Sequence, residues 1–135
     1  MKDKFAFDNR VAQSYSTYRA HPPEVSEQVG KVISTLAGEN ARVLEVGIGT
    51  GRIAIPVMNA GGEVIGIDLS REMLNEVALT AQSGGTLAVS QADMHFLPFP
   101  DKSFDAAMMV HVIHLTPKWQ DVLREIARVL RPGGV

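Results

Sequence analysis

The 135-residue chain contains no cysteine, which removes disulfides and every thiolate metal site from consideration. Its four histidines show no paired ligand spacing. His111 and His114 are close in sequence but lack a third ligand, so no metal is expected. Neither charge sign dominates: 13 Lys and Arg stand against 15 Asp and Glu, a formal net charge of -2. That balance provides no electrostatic footprint for a polyanion, and nucleic acid is not an expected partner. No run approaches the roughly 18 apolar residues of a membrane-spanning helix. The Met1-Lys2-Asp3-Lys4 start carries no apolar signal region, so a cytoplasmic protein away from membranes is expected. Internal repeats, low-complexity tracts and long charge blocks are also missing.

Against these absences, 45% of the residues are hydrophobic, enough at this length for one core. The one plausible boundary falls at Ala20-His21-Pro22-Pro23, dividing an amphipathic arm (1–22) from a body (23–135). The body opens with Val25, Val29, Val32, Ile33 and Leu36 at helical spacing, a face expected to pack on a sheet. Val43-Leu44-Glu45-Val46 then reads as a buried strand running through an acid into a turn, Gly47-Ile48-Gly49-Thr50-Gly51-Arg52. Glycines at alternate positions let the backbone turn tightly and approach a ligand without Cβ clashes. The dinucleotide fingerprint spaces them G-x-G-x-x-G, whereas here Arg52 occupies the third glycine position, which argues against NAD.

The pattern continues downstream. A helical segment from Arg52 to about Asn59 stops at Gly61-Gly62, and Glu63-Val64-Ile65-Gly66-Ile67-Asp68 reads as a second strand ending in an acid. Asp68 suits the two hydroxyls of a ribose, because Ser70 is already available to cap the helix starting at Arg71. Thr86 to Ser90 alternates as a third strand and leads into Gln91-Ala92-Asp93-Met94. Pro98 and Pro100 impose an extended connection, after which Phe104 to Val110 forms a nearly continuous apolar run suited to a fourth strand. Thr116-Pro117 reads as an N-cap and first helical residue. Val122, Leu123, Ile126, Val129 and Leu130 repeat at helical spacing before Arg131-Pro132-Gly133-Gly134 stops the helix. Alternating strands and helices imply a doubly wound parallel sheet with ligands at the strand C-termini.

The E-x-G-x-G-x-G stretch, the acids after strands two and three, and the segment Leu97-Pro98-Phe99-Pro100 through Asp105 together resemble the class I S-adenosylmethionine-dependent methyltransferases, in particular the small-molecule branch called methyltransferase type 11. The resemblance implies a Rossmann-like sheet of order 3-2-1-4 in this chain and S-adenosyl-L-methionine as cofactor. It places Glu45 with Gly47, Gly49, Thr50 and Gly51 at the methionine end, the carboxylate attracting the ammonium group and the following helix N-terminus receiving the anionic end. It places Asp68 on the ribose and Asp93 on the adenine amine, with the Met94 N–H on the ring and Leu69 and Met73 on its faces. Ordinary core packing stays open for both methionines.

In the arm, Tyr18 and Arg19 resemble a segment that covers the cofactor, with Arg19 on the methionine carboxylate; a solvated amphipathic helix is the alternative. His111 is expected to line the cofactor pocket. Either it or His114 could serve as general base for a hydroxyl or amine acceptor, with a packed histidine at a strand end as the alternative. The family continues past the Pro-Gly-Gly stop into three further strands, so the chain is expected to be a truncated form. Its Ala106 to Val110 strand would then stand at an open edge prone to self-association. The implied function is methyl transfer to a small-molecule acceptor. Alternatives are a non-catalytic cofactor-binding or scaffold domain, an aminopropyltransferase, or an NAD-dependent oxidoreductase.

Overall fold

Four parallel strands carry the architecture: β1 (Arg42–Val46), β2 (Glu63–Asp68), β3 (Thr86–Gln91) and β4 (Ala106–Met108), in the order β3-β2-β1-β4. They belong to a computed structural model that describes residues 21–80 and 86–135. The order is the expected 3-2-1-4. β1 runs in register with β2 from Arg42 opposite Glu63 to Val46 opposite Ile67, so all C-terminal ends share one edge. The helices are α1 (Pro23–Ala37), α2 (Ala54–Asn59), α3 (Arg71–Thr80) and α4 (Trp119–Val129). Most of the arm, Tyr18 and Arg19 included, lies outside the described residues.

The sheet is buried on both faces because its central strands are apolar at successive positions. On one face Leu44, Val46, Ile65 and Ile67 pack with Phe104 and, from α4, Val129. On the other, Val64 packs with Ala54, Val57 and Met58 of α2 and Leu74 and Val77 of α3. The segment before β4 is bolted to α4 by Arg128, which donates to the carbonyls of Leu97 (3.0 Å) and Phe99 (2.8 Å) and to Glu125 and Asp101. Glu125 in turn accepts from the Leu97 N–H at 2.8 Å. The two prolines leave an extended chain whose carbonyls have no ladder partner, and a guanidinium with several parallel donors satisfies them.

Four sequence expectations are corrected. α1 does not lay its apolar face on the sheet: Val25, Val32 and Leu36 are exposed, and its buried residue is Gly30. A side chain at 30 would collide with the Pro56 carbonyl, so the helix approaches α2 backbone to backbone, and Ile33 alone of the predicted face packs against the α2 and α3 cluster. The fourth strand covers three residues rather than the Phe104 to Val110 run. Phe104 makes an isolated bridge to Leu130, and the chain leaves strand geometry by His111, whose φ is 56°. The outer edge of β4 is not bare: Arg131 N–H donates to Phe104 O (2.8 Å), Val135 N–H to Asp105 O (3.1 Å) and Ala107 N–H to Val135 O (2.9 Å). The backbone groups on which self-association was expected are therefore occupied at those positions. Finally, α4 starts at Trp119 with Lys118 at its N-cap, two residues later than Thr116-Pro117 suggested.

Candidate functional site

The shared C-terminal edge opens into a cavity of about 470 Å³ lined by the β1 loop, the ends of β2 and β3 and the segment after β4. Its volume is that of a site for one small organic ligand.

The loop owes its path to glycine. Gly47 and Gly49 have φ of 72° and 57°, a left-handed region costly for a residue with a Cβ. At Gly47 the Cβ would also collide with the Val112 side chain, while at Gly49 it would meet nothing within 4 Å. The N–H groups of Gly47 and Ile48 both donate to the Ile67 carbonyl at 2.9 Å, which ties the loop to the end of β2. Asp68 completes the tie, accepting from Gly49 N–H through Oδ2 and from Ser70 N–H through Oδ1, each at 2.9 Å. Burial raises the Asp68 carboxyl above its ordinary range against the pull of these backbone donors. Ser70 caps α3 as expected, its Oγ accepting from Met73 N–H at 3.2 Å.

Glu45 sits behind the loop rather than on the cavity wall and is 2% exposed. Its Oε2 has no hydrogen-bond partner among the described residues. Burial pushes its carboxyl up to about 8, opposed by the Ala54 N–H and the Arg52 charge and assisted by Asp68. Thr50 and Gly51 also stay off this wall and face a separate groove between α1 and α2. Of the nominated cofactor residues that are described, Gly47, Gly49, Asp68, Leu69, Met73, Asp93, Met94 and His111 line the cavity together. Met73 borders it but is fully buried, so it packs within the wall and presents no accessible surface. His114 lines the cavity as well, from a 3₁₀ turn at Ile113–Leu115.

Two polar lining residues, His95 and Thr116, were not nominated for the site from sequence. His95 bridges Asp93 Oδ1 (2.6 Å, through Nδ1) and Thr116 Oγ1 (2.8 Å, through Nε2). Thr116, 8% exposed, accepts from Lys118 N–H at 3.0 Å, which explains why it turns the chain ahead of α4 instead of capping it. The available signal was an acid followed two residues later by a histidine at a strand end; the partner 21 positions away had none. Among the described residues no group of three or more His, Asp or Glu is placed to hold a metal, and no helix is long and apolar enough to cross a membrane.

A parallel sheet with a glycine loop and acids at successive strand ends defines a Rossmann-like nucleotide-cofactor domain. Residues 44–135 match the family model described as a methyltransferase domain. A demethylmenaquinone methyltransferase of Tropheryma whipplei is 37% identical over 133 residues, covering 93% of this chain and 54% of its own. The crystal structure of an arsenic(III) S-adenosylmethionine methyltransferase from Chlamydomonas reinhardtii superposes with a TM-score of 0.66 at 28% identity, over 84% of this chain and 48% of that one. The CcbJ methyltransferase of Streptomyces caelestis matches in fold with a TM-score of 0.80 at 24% identity, over 98% of this chain and 56% of that one. The chain therefore belongs to the class I S-adenosylmethionine-dependent methyltransferase family, and it spans about half the length of the curated relatives it matches.

Proposed function

We propose that the cavity binds S-adenosyl-L-methionine and that the protein transfers its methyl group to a small-molecule acceptor. The observation that carries this reading is the convergence of Gly49, Asp68 and Asp93 on one largely apolar cavity. The two carboxylates are acceptors, matching the donors of a ribose and of an adenine amine. Leu69 and Met94, both partly exposed on the wall, offer apolar surface for a purine ring, with the buried Ile67 and Met73 packed behind them. The open space at the Gly49 Cβ position permits close approach to the backbone. A cytoplasmic setting is carried with this reading as an expectation from the sequence.

When bound, S-adenosylmethionine supplies a methyl carbon made electrophilic by its sulfonium, so no protein nucleophile is required. The chain's own work is to bind and orient. Asp68 already fixes the loop through Gly49 and keeps lone pairs for hydroxyl groups. Val110, Val112 and Leu115 form an apolar wall beside His111 and His114, which limits water around an acceptor. His111 is held by its left-handed backbone at the turn that ends β4, and either histidine can take a proton from a hydroxyl or amine acceptor. A small-molecule acceptor draws support from the name of the Tropheryma relative.

Calorimetric titration with S-adenosylmethionine, its decarboxylated form and NAD tests the donor, and transfer of a radiolabelled methyl group to candidate acceptors tests the reaction. Tightest binding of S-adenosylmethionine is expected. NAD binding as tightly, or none of the three binding, would sink the reading; donor binding without transfer to any acceptor would mark a non-catalytic domain instead.

A further inference from the structure

The bridge formed by His95 lies outside the cofactor motifs. His95 lies in the turn after β3, follows Asp93 by two positions, and reaches Thr116 in the turn that precedes α4. Both of its contacts with Asp93, from the backbone N–H (2.8 Å) and from Nδ1 (2.6 Å), fall on the same oxygen, Oδ1. Oδ2 takes no hydrogen bond from the described residues, and Asp93 lines the cavity.

Hydrogen-bond arithmetic assigns the protons. An ionised carboxylate only accepts, so Nδ1 of His95 donates to Asp93. In the neutral ring with its proton on Nδ1, Nε2 is an acceptor and takes the Thr116 hydroxyl hydrogen, while Thr116 Oγ1 accepts from Lys118 N–H. With the imidazole neutral, every polar atom of the chain Lys118 N–H, Thr116, His95, Asp93 has a partner and a direction. Partial burial pushes the other way, but the His95 N–H and ring hold the Asp93 carboxyl below the ordinary carboxylate range, so the acceptor stays ionised.

We propose that His95 is a positioning residue that locks the Asp93 carboxylate so that Oδ2 selects an amino group on the purine ring of the bound nucleoside. The inference rests on the donor reading above and assigns its base specificity to a residue outside the cofactor motifs. A ring bearing a carbonyl at that position presents an acceptor to the fixed carboxylate and is rejected, since two acceptors face one another with no shared hydrogen. A freely rotating carboxylate would discriminate less, because it could turn its lone pairs away.

The test compares S-adenosylhomocysteine with its deaminated counterpart, S-inosylhomocysteine, by calorimetry on the wild type, His95→Ala, Thr116→Val and Thr116→Ser. The wild type is expected to prefer the adenosyl ligand by about tenfold or more, the size of one hydrogen bond to a charged group. His95→Ala and Thr116→Val are expected to reduce that ratio by about fivefold, mainly by weakening the adenosyl ligand, while Thr116→Ser, which keeps the hydroxyl, retains it. An unchanged ratio in both variants overturns the proposal, and so does an equal loss of affinity for both ligands, which marks a merely structural bridge. If His95→Ala does not fold, the Thr116 pair decides alone. A wild type that binds neither ligand defeats the donor reading itself; a wild type that discriminates while the variants discriminate equally well defeats only the role of His95.

Discussion

Replacing Glu45 by glutamine gives the sharpest test of the physics behind the glycine loop. The wild-type carboxyl is almost fully buried, and burial moves it from an ordinary 4.5 to about 8. A raised folded-state value means that the folded chain retains a proton which the unfolded chain has already lost. Below pH 4.5 both states hold the proton and the group costs nothing. As pH rises, stability falls by about 1.4 kcal/mol per pH unit. The loss reaches about 3 kcal/mol by pH 7 and levels near about 5 kcal/mol above pH 9, once the folded form has also ionised. Glu45→Gln removes the ionisation while its amide oxygen still accepts from Ala54 N–H. Any cost of the new amide N–H₂ group is the same at every pH. The stability difference between variant and parent, from urea unfolding followed by circular dichroism at intervals from pH 4.5 to 7, should therefore drift by about 3 kcal/mol in favour of glutamine. Other titrating groups are common to both proteins and cancel. A difference that stays flat within about 0.5 kcal/mol refutes the argument, because it means that the carboxyl is solvated and titrates normally.

Three further outcomes are expected. Gly47→Ala combines a left-handed backbone with a collision against Val112 and should lower stability by about 2 kcal/mol or more, whereas Gly49→Ala meets only the backbone cost of about 1 kcal/mol yet places a methyl group where a ligand must approach; urea unfolding and ligand titration on both variants separate the two effects. Asp68→Ala should weaken S-adenosylhomocysteine binding by about tenfold or more and also release Gly49 and Ser70, so unchanged affinity in calorimetry defeats the ribose assignment. Phe104→Ala, which empties a fully buried position, should cost about 3 to 5 kcal/mol in thermal or urea unfolding.

The sequence by itself determined the order of elements and the addresses of the acids. Those features are local: short apolar runs such as Val43-Leu44 and Val64-Ile65 bounded by glycine turns read as buried strands, alternating glycines read as a tight turn, and an acid at a strand end stays there in any packing. In a parallel sheet with right-handed crossovers, such ends must meet at one edge, so the convergence of Gly47, Asp68, Asp93 and His111 followed without coordinates. Tertiary structure decided what depends on partners distant in the chain. Glu45 lies beneath the loop rather than on the cavity wall, within reach of the Ala54 N–H at the start of α2, a contact that only the fold provides. The short β4 reflects Phe104 pairing with Leu130 and the turn at His111. The exposed face of α1 follows from a backbone approach at Gly30 that periodicity cannot express. The bridge from Asp93 through His95 to Thr116 joins two turns that only the fold brings within hydrogen-bond reach, since a side-chain contact across 21 residues leaves no trace in hydrophobic pattern or turn chemistry.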